Sequence, residues 1–364
     1  MMKTKLENDL RIIWAIALKD IGDAIRNKTT LSIMIGAAFV MLSSMALPLL
    51  LGLQDKPTAI VYTPERSSLV SGLTVRDEFR LHLADSQQEM QDAVGESATM
   101  VLGLALPSEF HQAAGSGETV QVDGFVPHWA DPAEIRERVT FFEKELEKAS
   151  WQSIQINVEG HVAYPSLDAG GQPFMIAMNL SLLVLLIGLS LVPHLLVEEK
   201  ETHTFEALMV SPARFSQVVI GKALTGVFYC LCAAAIVFVF KARLFVHWDV
   251  ILLAVILGAA FAVAAGLLIG AMSDNPTTIN LWMSLGIMGL LVPVLLDNLS
   301  SSKLPAVVRA IIPWIPSVTF SKLIVFSMAG DLSAAPVWAN AAALAGAALI
   351  LLALVVWRVR RADR

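Results

Sequence analysis

Apolar residues gather in six long runs, at 30–53, 173–197, 217–240, 248–272, 277–297 and 337–357. Each is long enough to cross a hydrocarbon core of about 30 Å as an α-helix, which predicts six spans. Ahead of the first run the pattern changes. Leu6, Leu10, Ile13, Trp14, Ala17, Leu18, Ile21 and Ile25 recur at helical spacing with charged residues between them. Residues 1–29 are therefore expected to form an amphipathic helix, lying in the membrane interface or on the protein's own inner surface. Between the first two runs, residues 54–172 break into shorter pieces. Extended patterns at 59–62, 100–106, 119–126 and 154–164 alternate with helical ones at 69–83, 107–114 and 132–150, as in a small mixed α/β domain. Asp131 before Pro132 suits the start of the last helix, because the carboxylate caps free amides and proline has none to leave unpaired. Gly115, Gly117, Gly170 and Gly171 punctuate turns and the return to the membrane. The expected fold is an α-helical polytopic membrane protein with an inserted α/β domain.

Composition agrees: only 16% of the 364 residues are charged and the mean hydropathy is +0.64. The net charge of −6 conceals an asymmetry, since residues 54–172 hold 19 Asp or Glu against 8 Lys or Arg. Basic residues set the orientation. Lys3, Lys5, Arg11, Lys19, Arg26 and Lys28 precede the first span, and Arg358, Arg360, Arg361 and Arg364 follow the last. Both termini are then cytoplasmic, with 358–364 a basic tail and 54–172 an extracytoplasmic domain. Lys241 and Arg243 are the local exception, falling outside. Residues 304–328 are apolar but broken by Pro305, Pro313 and Pro316, which predicts an external hairpin over 299–330 rather than a seventh span. Cys230 and Cys232, two apart in a helical run, point in different directions and cannot pair.

The loop after the second span, Glu198 to Leu224, is the most informative segment. Glu198, Glu199, Lys200, Glu201, Glu206 and Arg214 lie below a nearly uncharged span, while Phe205, Leu208 and Met209 form an apolar stripe. A short amphipathic helix over 198–212 follows, ended by Pro212. Here the chain resembles the type-2 family of ABC transporter permeases. Glu199, Glu201, Thr204, Glu206, Leu208, Pro212, Gly221 and Lys222 match that family's loop in order, while His203 stands where the family usually has glycine. The layout is similar too, and the large insert is like that of the sodium-export and multidrug-export permeases. The resemblance implies that this loop is a coupling helix docking on a cytoplasmic ATPase subunit. It also implies a second permease copy or a paralogue, an external hairpin, and a place in a bacterial inner membrane. ATP and Mg would be bound by the ATPase subunit. Gly221-Lys222 makes no phosphate loop in this chain, because Ser216 replaces the first glycine and Ala223 the final Ser or Thr. No enzyme activity is expected of the chain alone.

Other chemistry is sparse. Asn179, Ser181, Asn280 and Ser284 are the candidate substrate-path residues within spans, with Ser190, His194, Thr225 and Asp297 also polar. His194 and Asp297 sit near span ends, where interfacial placement explains them. The absence of mid-span carboxylates argues against a bare cation and toward an amphiphilic or lipid-like cargo; sodium, held by carbonyls and hydroxyls, and drugs remain alternatives. The seven histidines show no metal-ligand spacing, so no metal site is expected. Besides protein partners the chain is expected to contact membrane lipid and no nucleic acid. The rival reading is a non-transporting sensor or scaffold whose α/β domain binds an extracytoplasmic ligand.

Overall fold

A computed structural model describes residues 2–26, 32, 35, 36, 39, 56–64, 79–107, 119–150, 153–201, 215–273, 275–298 and 305–362. The first span expected at 30–53 and the loop 202–214 thus lie essentially outside the described residues.

Among the described residues the inserted domain is built on a mixed sheet of six strands: β1 (Thr58–Tyr62), β2 (Arg80–Ala84), β3 (Val101–Ala105), β4 (Val120–Pro127), β5 (Ile154–Asn157) and β6 (Val162–Ala163). Their order is β2-β1-β3-β4-β5, with β6 on β4. Only the β3–β4 pair is antiparallel, with Gly103 opposite Phe125. One helix covers each face. On one side α2 (Gln87–Gly95) lays Met90 and Val94 over Gly103, where an added Cβ would stand 3.0 Å from Val94. On the other, α3 (Pro132–Ser150) buries Phe142 and Leu146 with Leu102, Leu104, Ile154 and Ile156. Phe79, Phe141 and Phe142 meet edge to face at 5.3–6.3 Å, a geometry set by the ring quadrupoles. Asp131 caps α3, its Oδ1 accepting from the Ala133 amide at 2.9 Å.

The helical expectation for 69–83 fails at its end, because Arg80–Ala84 is a strand pairing in parallel with β1, Thr58 opposite Arg80. The short alternation of Leu81 and Leu83 with Arg80 and His82 is satisfied by the open edge of β1, so tertiary pairing overrides the local pattern.

Among the described residues five helices are long and apolar enough to cross a membrane: α4 (Gly171–Glu201), α5 (Phe215–Lys241), α6 (Trp248–Met272), α7 (Pro276–Asn298) and α10 (Ala334–Ala362). Asn275 caps α7, its Oδ1 accepting from the Thr278 amide at 2.8 Å ahead of Pro276. Between α7 and α10 lie α8 (Ala306–Ile311) and α9 (Pro316–Phe326), in two arms bent by 70°.

Small residues let these helices approach. Gly258, Ala262, Gly266 and Gly270 recur every four residues along one side of α6, the spacing that brings membrane helices into van der Waals contact where no hydrophobic effect drives them together. A Cβ on Gly266 would stand 2.1 Å from the Gly188 carbonyl of α4, and one on Gly188 2.5 Å from Ala262. A Cβ on Gly258 would stand 2.6 Å from the ring of Phe320 in α9. The Val246 and His247 amides both donate to the Ser327 carbonyl at 2.9 Å. The Ser317 hydroxyl donates to the Leu290 carbonyl, two turns before the end of α7. The bent pair therefore dips into the bundle and leaves it at the end carrying the α/β domain.

Among the described residues two hydrogen-bonded junctions attach that domain. Gly171, at φ +53°, begins α4, and its Cβ would fall 2.3 Å from the Glu96 carbonyl, which accepts from the Gln172 amide at 2.8 Å. Only glycine fits such a corner. The second joins β4 and α3 to the turn after α5: Arg243 reaches Asp131 at 2.8 Å, and His128 Nε2 donates to the Leu244 carbonyl at 3.0 Å.

Candidate functional site

The loop singled out by its sequence runs between α4 and α5. Glu198 to Glu201 continue the helix of α4, so Glu199 and Glu201 stand on its last turns. Thr204, Glu206, Leu208 and Pro212 lie outside the described residues.

What the structure adds is the partner of α5. The amphipathic helix α1 (Met2–Arg26) packs along the first half of α5, immediately after the loop. Gly221 makes this possible, since a Cβ there would meet Ile16 at 2.7 Å. Beside it Lys222 donates to Asp20 at 3.2 Å, and the two side chains are only 1% and 5% exposed. Four polar contacts run along the seam in register with the helical repeat. Gln217 donates to Asp9 at 2.7 Å, Lys222 to Asp20, Thr225 to the Ala17 carbonyl at 3.3 Å, and Tyr229 to the Ile21 carbonyl at 2.8 Å. Ala17 is buried in this seam, while Leu10, Trp14 and Leu18 form an exposed apolar stripe away from it. The Gly-Lys pair thus has a structural use: the glycine admits the helix and the lysine neutralises its one buried carboxylate. Asp9, Asp20 and Gln217 are the residues that sequence reasoning missed. The legible signal was Asp20 in line with Ile13, Ala17 and Ile21 on the apolar side of a helix, since a carboxylate is tolerated there only when paired.

The four candidate path residues separate into two levels. Asn179 and Ser181 lie two to three turns from the start of α4, Asn179 half-buried and Ser181 fully buried with its hydroxyl unpartnered. Asn280 and Ser284 occupy one exposed face in the first half of α7, which runs the opposite way, and Ser284 donates to the Asn280 carbonyl at 2.8 Å. They do not converge on one point. A cavity of about 570 Å³ opens instead between α6, α7 and α10, lined by Phe261, Leu268, Trp282, Leu285, Pro316 and Ile350 among others. Asp297 pairs with Lys322 of α9 at 3.2 Å, and His194 Nδ1 donates to the Ser190 carbonyl. Among the described residues no group of His, Cys, Asp and Glu could hold a metal ion.

Burial tunes the two junctions to the α/β domain. Desolvation pushes the Glu96 carboxyl above the ordinary carboxylate range, opposed by its hydrogen bond with the Gly170 backbone and reinforced by the nearby charge of Asp92. Desolvation holds the His128 imidazole below the ordinary histidine value. The Arg243 hydrogen bond lowers the Asp131 carboxyl.

No curated protein matches the chain at a significant level. The family described as "ABC-2 family transporter protein" matches residues 28–357, leaving α1 outside the matched segment.

Proposed function

Because the chain belongs to the ABC-2 family of transporter proteins, we propose that it is the permease of an ATP-driven exporter whose ATP and Mg are bound by a separate cytoplasmic subunit. The observation that carries this reading is the seam between α1 and α5. The loop 198–212 leads straight into α5, and α1 is tied to that helix by a buried ion pair. Closure of an ATPase against the loop and α1 would therefore push one rigid span from two sides. Glu199, Glu201, Thr204, Glu206, Leu208 and Pro212 form the docking surface. Leu10, Trp14 and Leu18 face the lipid interface, both termini are cytoplasmic, and the α/β domain is extracytoplasmic. The bent α8–α9 pair is an external re-entrant hairpin, and two permease copies form the path.

The cargo is an amphiphile rather than sodium. The cavity bounded by Phe261, Trp282 and Ile350 is almost wholly apolar, and no carboxylate lies at mid-span among the described helices. Co-purification from native membranes should recover an ATPase, and the reconstituted complex should export labelled amphiphiles only with ATP. Glu206→Lys should leave ATP hydrolysis in place and abolish export. Export by Glu206→Lys at the wild-type rate, or the absence of any ATPase partner, refutes the reading.

A further inference from the structure

A second cavity, of about 460 Å³, lies where the α/β domain meets the end of α5. Its size is that of a small-ligand site, and its lining is chemically specific. Gln172, only 8% exposed, leaves its Oε1 without a hydrogen-bond partner, and the indole nitrogen of Trp129 is likewise buried and unpartnered. Buried polar atoms left open in this way cost free energy unless something satisfies them.

Charge narrows what that something is. The wall holds two cations, Lys241 and Arg243, and two carboxylates, Asp131 and Glu134. Arg243 and Asp131 are committed to each other at 2.8 Å. Lys241 and Glu134 have no ion-pair partner among the described residues, so the cavity offers one available charge of each sign. A purely anionic group would meet Glu134 and a purely cationic one Lys241, each an unfavourable contact in a partly desolvated site. A group carrying both charges satisfies both walls. The remaining wall is apolar: Val239 and Phe240, on the last turn of α5, line the cavity and are 78% and 59% exposed. An occupant can therefore leave its polar end in the cavity and its hydrocarbon along the outside of the bundle.

We propose that this junction binds the headgroup of a zwitterionic phospholipid, its phosphate toward Lys241 and the Trp129 indole N–H, its ammonium toward Glu134 and the Gln172 Oε1, and its acyl chains along Val239 and Phe240. The site gives a reason for Lys241, and the Asp131 pair one for Arg243, the two basic residues that break the charge pattern of the spans. It would also make the seating of the α/β domain on the bundle sensitive to the surrounding lipid. The proposal rests on the membrane-surface placement of this domain argued above.

The test uses the full chain purified in a maltoside detergent, titrated with short-chain phosphatidylethanolamine, short-chain phosphatidylglycerol, or soluble phosphoethanolamine. Two signals are read: the thermal unfolding midpoint, and the tryptophan emission lost in Trp129→Phe. Phosphatidylethanolamine should bind saturably and at least tenfold more tightly than either other ligand. Glu134→Gln and Lys241→Gln, both at half-buried positions that tolerate an amide, should each weaken it at least tenfold. Tighter binding of phosphatidylglycerol overturns the zwitterion assignment, and equal binding of soluble phosphoethanolamine overturns the lipid assignment. Equal shifts in wild type and both variants overturn the site. No ATPase enters the assay, so failure here leaves the exporter reading standing, and failure to find an ATPase leaves this result unaffected.

Discussion

Replacing Lys222 by methionine tests the seam between α1 and α5 most directly. At the 3.2 Å separation seen, and an effective dielectric of about 20, the attraction within the pair is about 5 kcal/mol before the cost of desolvating both ions. That cost consumes most of the gain, so the intact pair is close to neutral for stability. Removing one member is different. Asp20 would remain 4% exposed with no counter-charge, a situation that costs about 3–5 kcal/mol. The cheapest escape is for α1 to lift from α5 and hydrate the carboxylate, because the seam otherwise depends on Ala17, the approach of Ile16 to Gly221, two neutral hydroxyl contacts and the more accessible Asp9–Gln217 contact. The damage is therefore local: Lys222→Met should raise the open population of α1 by about two to three and a half orders of magnitude, at 1.4 kcal/mol per tenfold. Hydrogen exchange of the α1 amides should accelerate accordingly, while α6 stays protected. The double variant Asp20→Leu with Lys222→Met, which replaces both ions by apolar groups of similar bulk, should restore slow exchange. Unchanged α1 exchange in the single variant, or a double variant as labile as the single, refutes the argument.

Three further outcomes are expected. Gly266→Val should destabilise the bundle by at least about 1–3 kcal/mol through overpacking, since its Cβ would stand 2.1 Å from the Gly188 carbonyl; thermal unfolding in detergent measures this, and a wild-type midpoint would contradict it. His128 is held below its usual value by burial. Its contribution is full above the ordinary histidine value of about 6.5 and is lost as pH falls through the lowered one. Proteolysis of the α/β domain should accelerate on acidification in wild type and less so in His128→Gln. Glu96 has the opposite sign: its raised value favours the neutral carboxyl, so its contribution is full below the ordinary carboxylate range and lost as pH rises through the folded value. Glu96→Gln, which mimics the protonated form, should therefore raise the unfolding midpoint at neutral pH and lose that advantage in acid.

Much of this was legible in the chain. Long uncharged runs can satisfy their backbone in lipid only as helices, so the five described spans follow from hydropathy alone. The caps at Asp131 and Asn275 could be read beside their prolines because capping is a local interaction. One local signal went unread: Ser86 followed three residues later by Glu89 marks the start of α2, and the structure realises it, Ser86 Oγ accepting from the Glu89 amide and Glu89 in turn accepting from the Asp85 amide. The strand at Arg80–Ala84 was not readable, because five residues fit either period and only the open edge of β1 decides between them.

The sequence by itself determined the class of molecule and the five described spans, which depend on composition and spacing within short windows. Tertiary structure alone decided that Gly221 and Lys222 serve α1, that Gly258, Ala262, Gly266 and Gly270 line one packed side of α6, and that Lys241 and Glu134 line one cavity. These pairings join residues up to about two hundred positions apart. Periodicity says which side a residue is on, and only packing says what stands opposite.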